Sequence, residues 1–149
     1  AVRASGGVSI YSSSMLDAGV ELTNGSGTWA SVSDRSRKEN FQPVDTVAVL
    51  EKVAAMPVTQ WNYKSERGVR HIGPVAQDFF AAFGVGAKDT TITTIDADGV
   101  ALAAIQGLNK KLSKQLESRD AEIATLRERL DRTEALLQSL SAGRGKIDE

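Results

Sequence analysis

Ser33 and Lys38 are the pair in this chain whose types and spacing assemble most easily into a hydrolytic centre. A serine hydroxyl is a poor nucleophile at neutral pH and needs a positioned base. Lysine serves only in its neutral form, which desolvation or neighbouring positive charge favours, and Arg35 and Arg37 stand close in sequence to supply such charge. Five residues separate the two, whereas a helical face would bring together residues three or four apart. The backbone must therefore turn between them, or the base must come from another copy. The same stretch, Ser33 to Phe41, also reads as a capped turn in a solvated charged run. With no Cys and His71 as the single His, thiolate catalysis, disulfides and a Cys/His zinc site are excluded. Asp96-Ala97-Asp98-Gly99 lacks the third acidic position and distal Glu of a calcium loop, and reads as helix N-capping by Asp96 or Asp98. Gly143-Arg144-Gly145-Lys146 lacks the Ser or Thr that follows the Lys of a phosphate loop. No metal and no cofactor is expected.

The chain has 149 residues, about one domain, and is expected to be the C-terminal piece of a longer protein. Lys plus Arg number 18 against 19 for Asp plus Glu, a balance with no electrostatic footprint for nucleic acid or an anionic membrane surface. No apolar run approaches the roughly 18–20 residues of a bilayer span. Few aromatics argue against a large compact core.

The elements that must position the pair fall into an α+β arrangement of three zones. Residues 1–32 are Gly- and Ser-rich with short strand-like runs, Gly7 to Tyr11 and Gly19 to Thr23, and read as a linker or as the end of a β-rich stalk that several chains order together. Residues 33–100 read as a small mixed α/β globular unit. Asp45 caps a helix over Thr46 to Ala55, and Pro57 stops it. Val58 to Tyr63 alternates like a half-buried strand, with Trp61 and Tyr63 on one face; Lys64 to Gly68 is a hairpin-type loop before a strand through Val69 to Ile72. Pro74 is placed in the first turn of a helix over Val75 to Phe83 that Gly84 ends, and Ile92 to Ile95 reads as a last strand.

Residues 101–142 carry the strongest period, and 143–149 read as a disordered tail. Leu102, Asn109, Leu116, Ile123, Leu130 and Leu137 fall at heptad position a; Ile105, Leu112, Arg119, Leu126, Thr133 and Leu140 fall at d. Nine of these twelve are apolar, which favours a left-handed coiled coil. A helix of roughly 58 Å with one narrow apolar stripe implies self-association in two or three strands. Asn109, Arg119 and Thr133 interrupt the stripe, at a cost in stability that fixes register.

Ser33-Asp34-Arg35 with Lys38-Glu39-Asn40 resembles the S-D-x-x-x-K-E-N signature of the peptidase S74 family, the intramolecular chaperone domain of phage endosialidases and tail spikes. The likeness continues in order through Trp61 to Lys64, Arg70 to Asp78, and Ile95-Asp96 with Gly99 to Leu102. It implies a homotrimer that templates the upstream β-stalk of its own polypeptide and then releases itself by cleavage, in a tail fibre or spike precursor folded in the host cytoplasm or in a prophage-derived surface protein. It further implies Ser33 as nucleophile, Lys38 as base, and a cut between Ser33 and Asp34. Asp34, Asn40, His71, Gly73, Gln77 and Asp96 match family positions around the site; Gln77 is of a type that donates to an oxyanion, and His71 either orients the pair or satisfies a buried hydrogen bond. Two other readings stay open: a permanent trimeric cap without cleavage, and a receptor-binding fibre tip.

Overall fold

The computed structural model describes residues 4–144. Its first part is a three-stranded antiparallel sheet. Strand β1 (Val8–Tyr11) pairs with β2 (Gly19–Leu22), Val8 opposite Leu22 and Tyr11 opposite Gly19, and the two-residue β3 (Ala30–Ser31) adds to β2. Gly19 is required by contact, because a side chain there would strike the Ile10 carbonyl and the Tyr11 ring. No described residue before Ser33 is buried. Such a sheet has no second layer to cover its apolar side chains, and alone it is marginal.

Helix α1 (Thr46–Ala55) forms as its ends dictate. The Asp45 carboxylate accepts from the Val47 and Ala48 amides at 3.1 Å each, and Pro57 follows the last turn. Strands β4 (Thr59–Trp61) and β5 (His71–Gly73) make an antiparallel hairpin in which Trp61 faces His71. Helix α2 (Ala76–Phe83) ends at Gly84, whose φ of 64° is the left-handed conformation that glycine adopts without penalty. Pro74 lies two residues before the first helical residue rather than inside the first turn, since Val75 holds the N-cap position.

The long helix α3 (Thr94–Arg144) spans 51 residues, about 77 Å. It starts earlier than about residue 100, and the strand expected over Ile92 to Ile95 does not form. The cause is a reciprocal cap: Thr93 Oγ accepts from the Asp96 amide at 3.1 Å and donates to the Asp96 carboxylate at 2.7 Å. Thr93 therefore caps the helix, and Asp96 and Asp98 lie inside it rather than at its cap. Of the tail assigned to 143–149, residues 145–149 lie outside the described residues.

The core sits where α1 crosses the start of α3. Phe79 of α2, Ala104 of α3 and Thr46 of α1 are 3%, 7% and 6% exposed. Gly107 is buried too, and its lack of a side chain sets the helix spacing: a Cβ there would overlap the Thr46 carbonyl and press on Leu50. Val100, Ala104 and Gly107 recur at helical spacing on one side of α3, and at 3.6 residues per turn Leu102, Ile105, Leu112 and Leu116 fall on roughly the opposite side. All nine apolar stripe residues, from Leu102 to Leu140, are between 46% and 69% exposed. Past Gly107, no described residue of α3 is buried.

Candidate functional site

A short turn brings the sequence-predicted pair together. Asp34 stands at the N-cap of a single 3-10 turn (Arg35–Arg37), where its carboxylate accepts from the Ser36 amide at 2.7 Å and from the Ser36 hydroxyl at 2.5 Å. These two bonds hold the Asp34 carboxyl below its ordinary value of 3.8, the hydroxyl bond contributing most. The turn closes with the Lys38 amide donating to the Arg35 carbonyl at 3.2 Å. Folding back over five residues places Lys38 Nζ 2.7 Å from Ser33 Oγ, a hydrogen bond in which Nζ donates. Both side chains are exposed in the single chain.

Neighbouring residues fix this turn from two sides. Arg37 donates through a guanidinium nitrogen to the Leu16 carbonyl, tying the segment after Ser33 to the β1–β2 connection before it. The Arg35 guanidinium lies 4.6 Å over the Phe41 ring. Asn40 has a φ of 56°, a left-handed conformation that asparagine tolerates better than most residues, and so redirects the chain toward α1. Nothing in the types or spacing of Arg37 and Leu16 signals this bond.

The other family-pattern positions lie elsewhere and have partners of their own. His71 stacks on Trp61 with centroids 4.7 Å apart, meets Tyr63 edge-on at 5.5 Å, and places Nε2 3.2 Å from the Glu66 carboxylate. Gly73 passes beneath the Trp61 indole, where an added Cβ would stand 3.9 Å from Nε1. Gln77 lines a concavity of about 390 Å³ together with Trp61, Tyr63 and Val75. Asp96 is engaged by Thr93. Among the described residues, no hydrogen bond joins His71, Gln77 or Asp96 to Ser33 or Lys38. In one chain the pair sits on the turn that Asp34 caps, and Lys38 lines a concavity together with Met15, Asp17 and Glu39.

The arrangement matches the minimum that nucleophilic chemistry requires: a hydroxyl and an amine in hydrogen-bond contact, held by a capped turn. Among the described residues, no cluster of His, Asp and Glu could hold a metal ion, and no helix is long and apolar enough to cross a membrane. No curated protein and no solved structure matches the chain. A family model does match, over residues 33–85, from Ser33 through the 3-10 turn, α1, the hairpin and α2. That segment, with the Ser33–Lys38 pair at its leading edge, is similar to the peptidase S74 family, described as the chaperone of endosialidase.

Proposed function

We propose that this chain is an intramolecular chaperone that assembles as a homotrimer through α3, holds the strands upstream of Ser33 in register while they fold, and then detaches by self-cleavage at Ser33. The observation that carries the cleavage is the 2.7 Å contact between Lys38 Nζ and Ser33 Oγ within the family-matched segment. The exposed apolar stripe supports the assembly. Covering each Leu or Ile of that stripe stabilises the oligomer by on the order of 1 kcal/mol, and nine per chain offset the loss of freedom on association. The upstream sheet, with no buried residue, is the kind of element that needs neighbouring chains. Linking its strands to a preassembled coil raises their effective concentration to about the millimolar range.

In this reading Ser33 Oγ attacks a backbone carbonyl while neutral Lys38 takes the hydroxyl proton and passes it to the departing amide nitrogen as the C–N bond breaks. Water then hydrolyses the serine ester and restores the hydroxyl, and burial against neighbouring copies favours the neutral amine. Attack by Ser33 on its own carbonyl would close a four-membered ring. A cut between Ser33 and Asp34 is therefore a reaction on a neighbouring copy, whereas a cut just before Ser33 needs one chain and a five-membered ring. Detachment converts a reversible assembly into one whose unfolding is kinetically blocked. The setting is a tail fibre or spike precursor.

Intact mass under denaturing conditions tests the proposal, and native mass reads the assembly. Wild type is expected to yield a C-terminal piece beginning at Asp34, and Ser33→Ala none. If wild type and Ser33→Ala stay equally intact after prolonged incubation while a trimer is present, the chain is a permanent cap.

A further inference from the structure

The charges flanking the apolar stripe of α3 specify how copies align. We infer that Glu122, Arg127, Arg129 and Glu134 select a parallel, unshifted arrangement of identical chains and reject its nearest alternatives; this rests on the self-association proposed above. Helix α3 is continuous, so the heptad frame of its stripe extends without a break from Leu102 to Leu140. In that frame Glu122 and Arg129 occupy position g, and Arg127 and Glu134 occupy position e. In a parallel coil, each g residue faces the e residue five places further along a neighbouring copy, and these contacts set partner and orientation.

The frame then gives Glu122 against Arg127 of a neighbouring copy and Arg129 against Glu134 of a neighbouring copy, two attractive contacts at every interface. The next g–e contact toward the N-terminus, Gln115 against Asp120, carries no repulsion. Sliding one copy by a heptad in one direction sets Glu122 against Glu134. Sliding it the other way sets Glu122 against Asp120 and Arg129 against Arg127. Reversing one copy, with Ile123 packed against Leu126, sets Arg127 against its own counterpart and Asp120 against Glu134. Each alternative thus meets like charges where the unshifted parallel form meets opposite ones.

Two further features bear on this alignment. Among the described residues no salt bridge engages these four α3 side chains, so they are available across an interface. Arg119, at d, brings guanidinium groups to one level of an aligned coil. Its flanking residues Asp120 and Glu122 are both carboxylates, within reach of a side chain long enough to leave the seam. Asn109, at a, adds a polar layer that matches itself only without a shift.

The test uses the full chain in four forms, with self-association read by sedimentation at low salt. Glu122→Lys with Glu134→Lys makes all four flanking positions basic, and Arg127→Glu with Arg129→Glu makes them acidic. Each double variant is expected to associate more weakly than wild type by roughly tenfold or more, and the two mixed are expected to assemble together. Exchanging all four charges (Glu122→Arg, Arg127→Glu, Arg129→Glu, Glu134→Arg) is expected to restore wild-type association. Because the chain has no cysteine, Leu140→Cys alone reports alignment: oxidation is expected to cross-link copies through Cys pairs in the unshifted parallel form. Wild-type association with no loss in either double variant, or without Leu140→Cys cross-linking, overturns this inference and leaves self-association standing. A monomeric wild type overturns both.

Discussion

Gly107 of α3 lies so close to the Thr46 carbonyl of α1 that a single added methyl would overlap it. The two helices meet backbone to backbone there, and the lobe depends on that closeness. Gly107→Ala is therefore expected to destabilise the lobe by about 1–3 kcal/mol through overpacking, although alanine is the better helix former by about 1 kcal/mol. Gly99, on the same helix, has open space where a side chain would go. Gly99→Ala is expected to stabilise by up to about 1 kcal/mol. Thermal melts of both variants beside wild type check the contrast; equal effects would show that the close approach does not matter.

Lys38→Arg separates charge from basicity. Arginine keeps the cation and its hydrogen-bonding reach but does not deprotonate in proteins. The expected result is a chain that assembles as wild type does yet self-cleaves at least about 10²-fold more slowly. Following intact mass over time gives the rate, and undiminished cleavage would remove Lys38 from the role of base.

The turn around the pair is expected to respond to acid. The Asp34 carboxyl is held below its ordinary value, chiefly by the Ser36 hydroxyl and then by the Ser36 amide. A group whose folded value is depressed favours the folded turn at pH above the ordinary value of 3.8, and that contribution is lost as pH falls through the lower, folded value. Following the Ser36 amide by NMR through an acid titration should give a midpoint below 3.8. Ser36→Ala should move the Asp34 midpoint upward, and an unmoved midpoint would mean that the hydroxyl bond does not hold the carboxylate.

The stripe and the lobe are expected to fail independently. Leu126→Glu introduces a charge on the exposed stripe, away from Phe79, Ala104 and Thr46. Association should weaken by roughly tenfold or more, while the near-ultraviolet dichroism of the Trp61, Tyr63 and His71 group stays as in wild type. Loss of both signals together would show that lobe folding requires association.

Elements with unambiguous ends were legible in the sequence. Asp45 and Pro57 bracket α1 where the structure has it, and Gly84 stops α2 in the left-handed conformation its position suggested. The hairpin was readable from the alternation that puts Trp61 and Tyr63 on one face, though its strands are shorter than the pattern. Ile92 to Ile95 misled because a β-branched run looks like a strand until Thr93 and Asp96 are recognised as a reciprocal cap. Strand β3 is two residues of Ala and Ser without any pattern. For the site, residue types suggested Ser33 and Lys38, but their separation did not say that they touch. The Asp34 cap and the 3-10 turn bring them together. Residue type alone allows His71 either to orient the pair or to satisfy its own hydrogen bond, and its ring is held by Trp61, Tyr63 and Glu66.

Helix α1 holds α3 on the side turned away from its leucines. In the assembly proposed above, docking through the leucine side leaves the contact between α1 and α3 in place. For the proposed trimer this geometry orders maturation by construction, with subunits folding first and meeting second, so that encounter is expected to set the pace at low abundance.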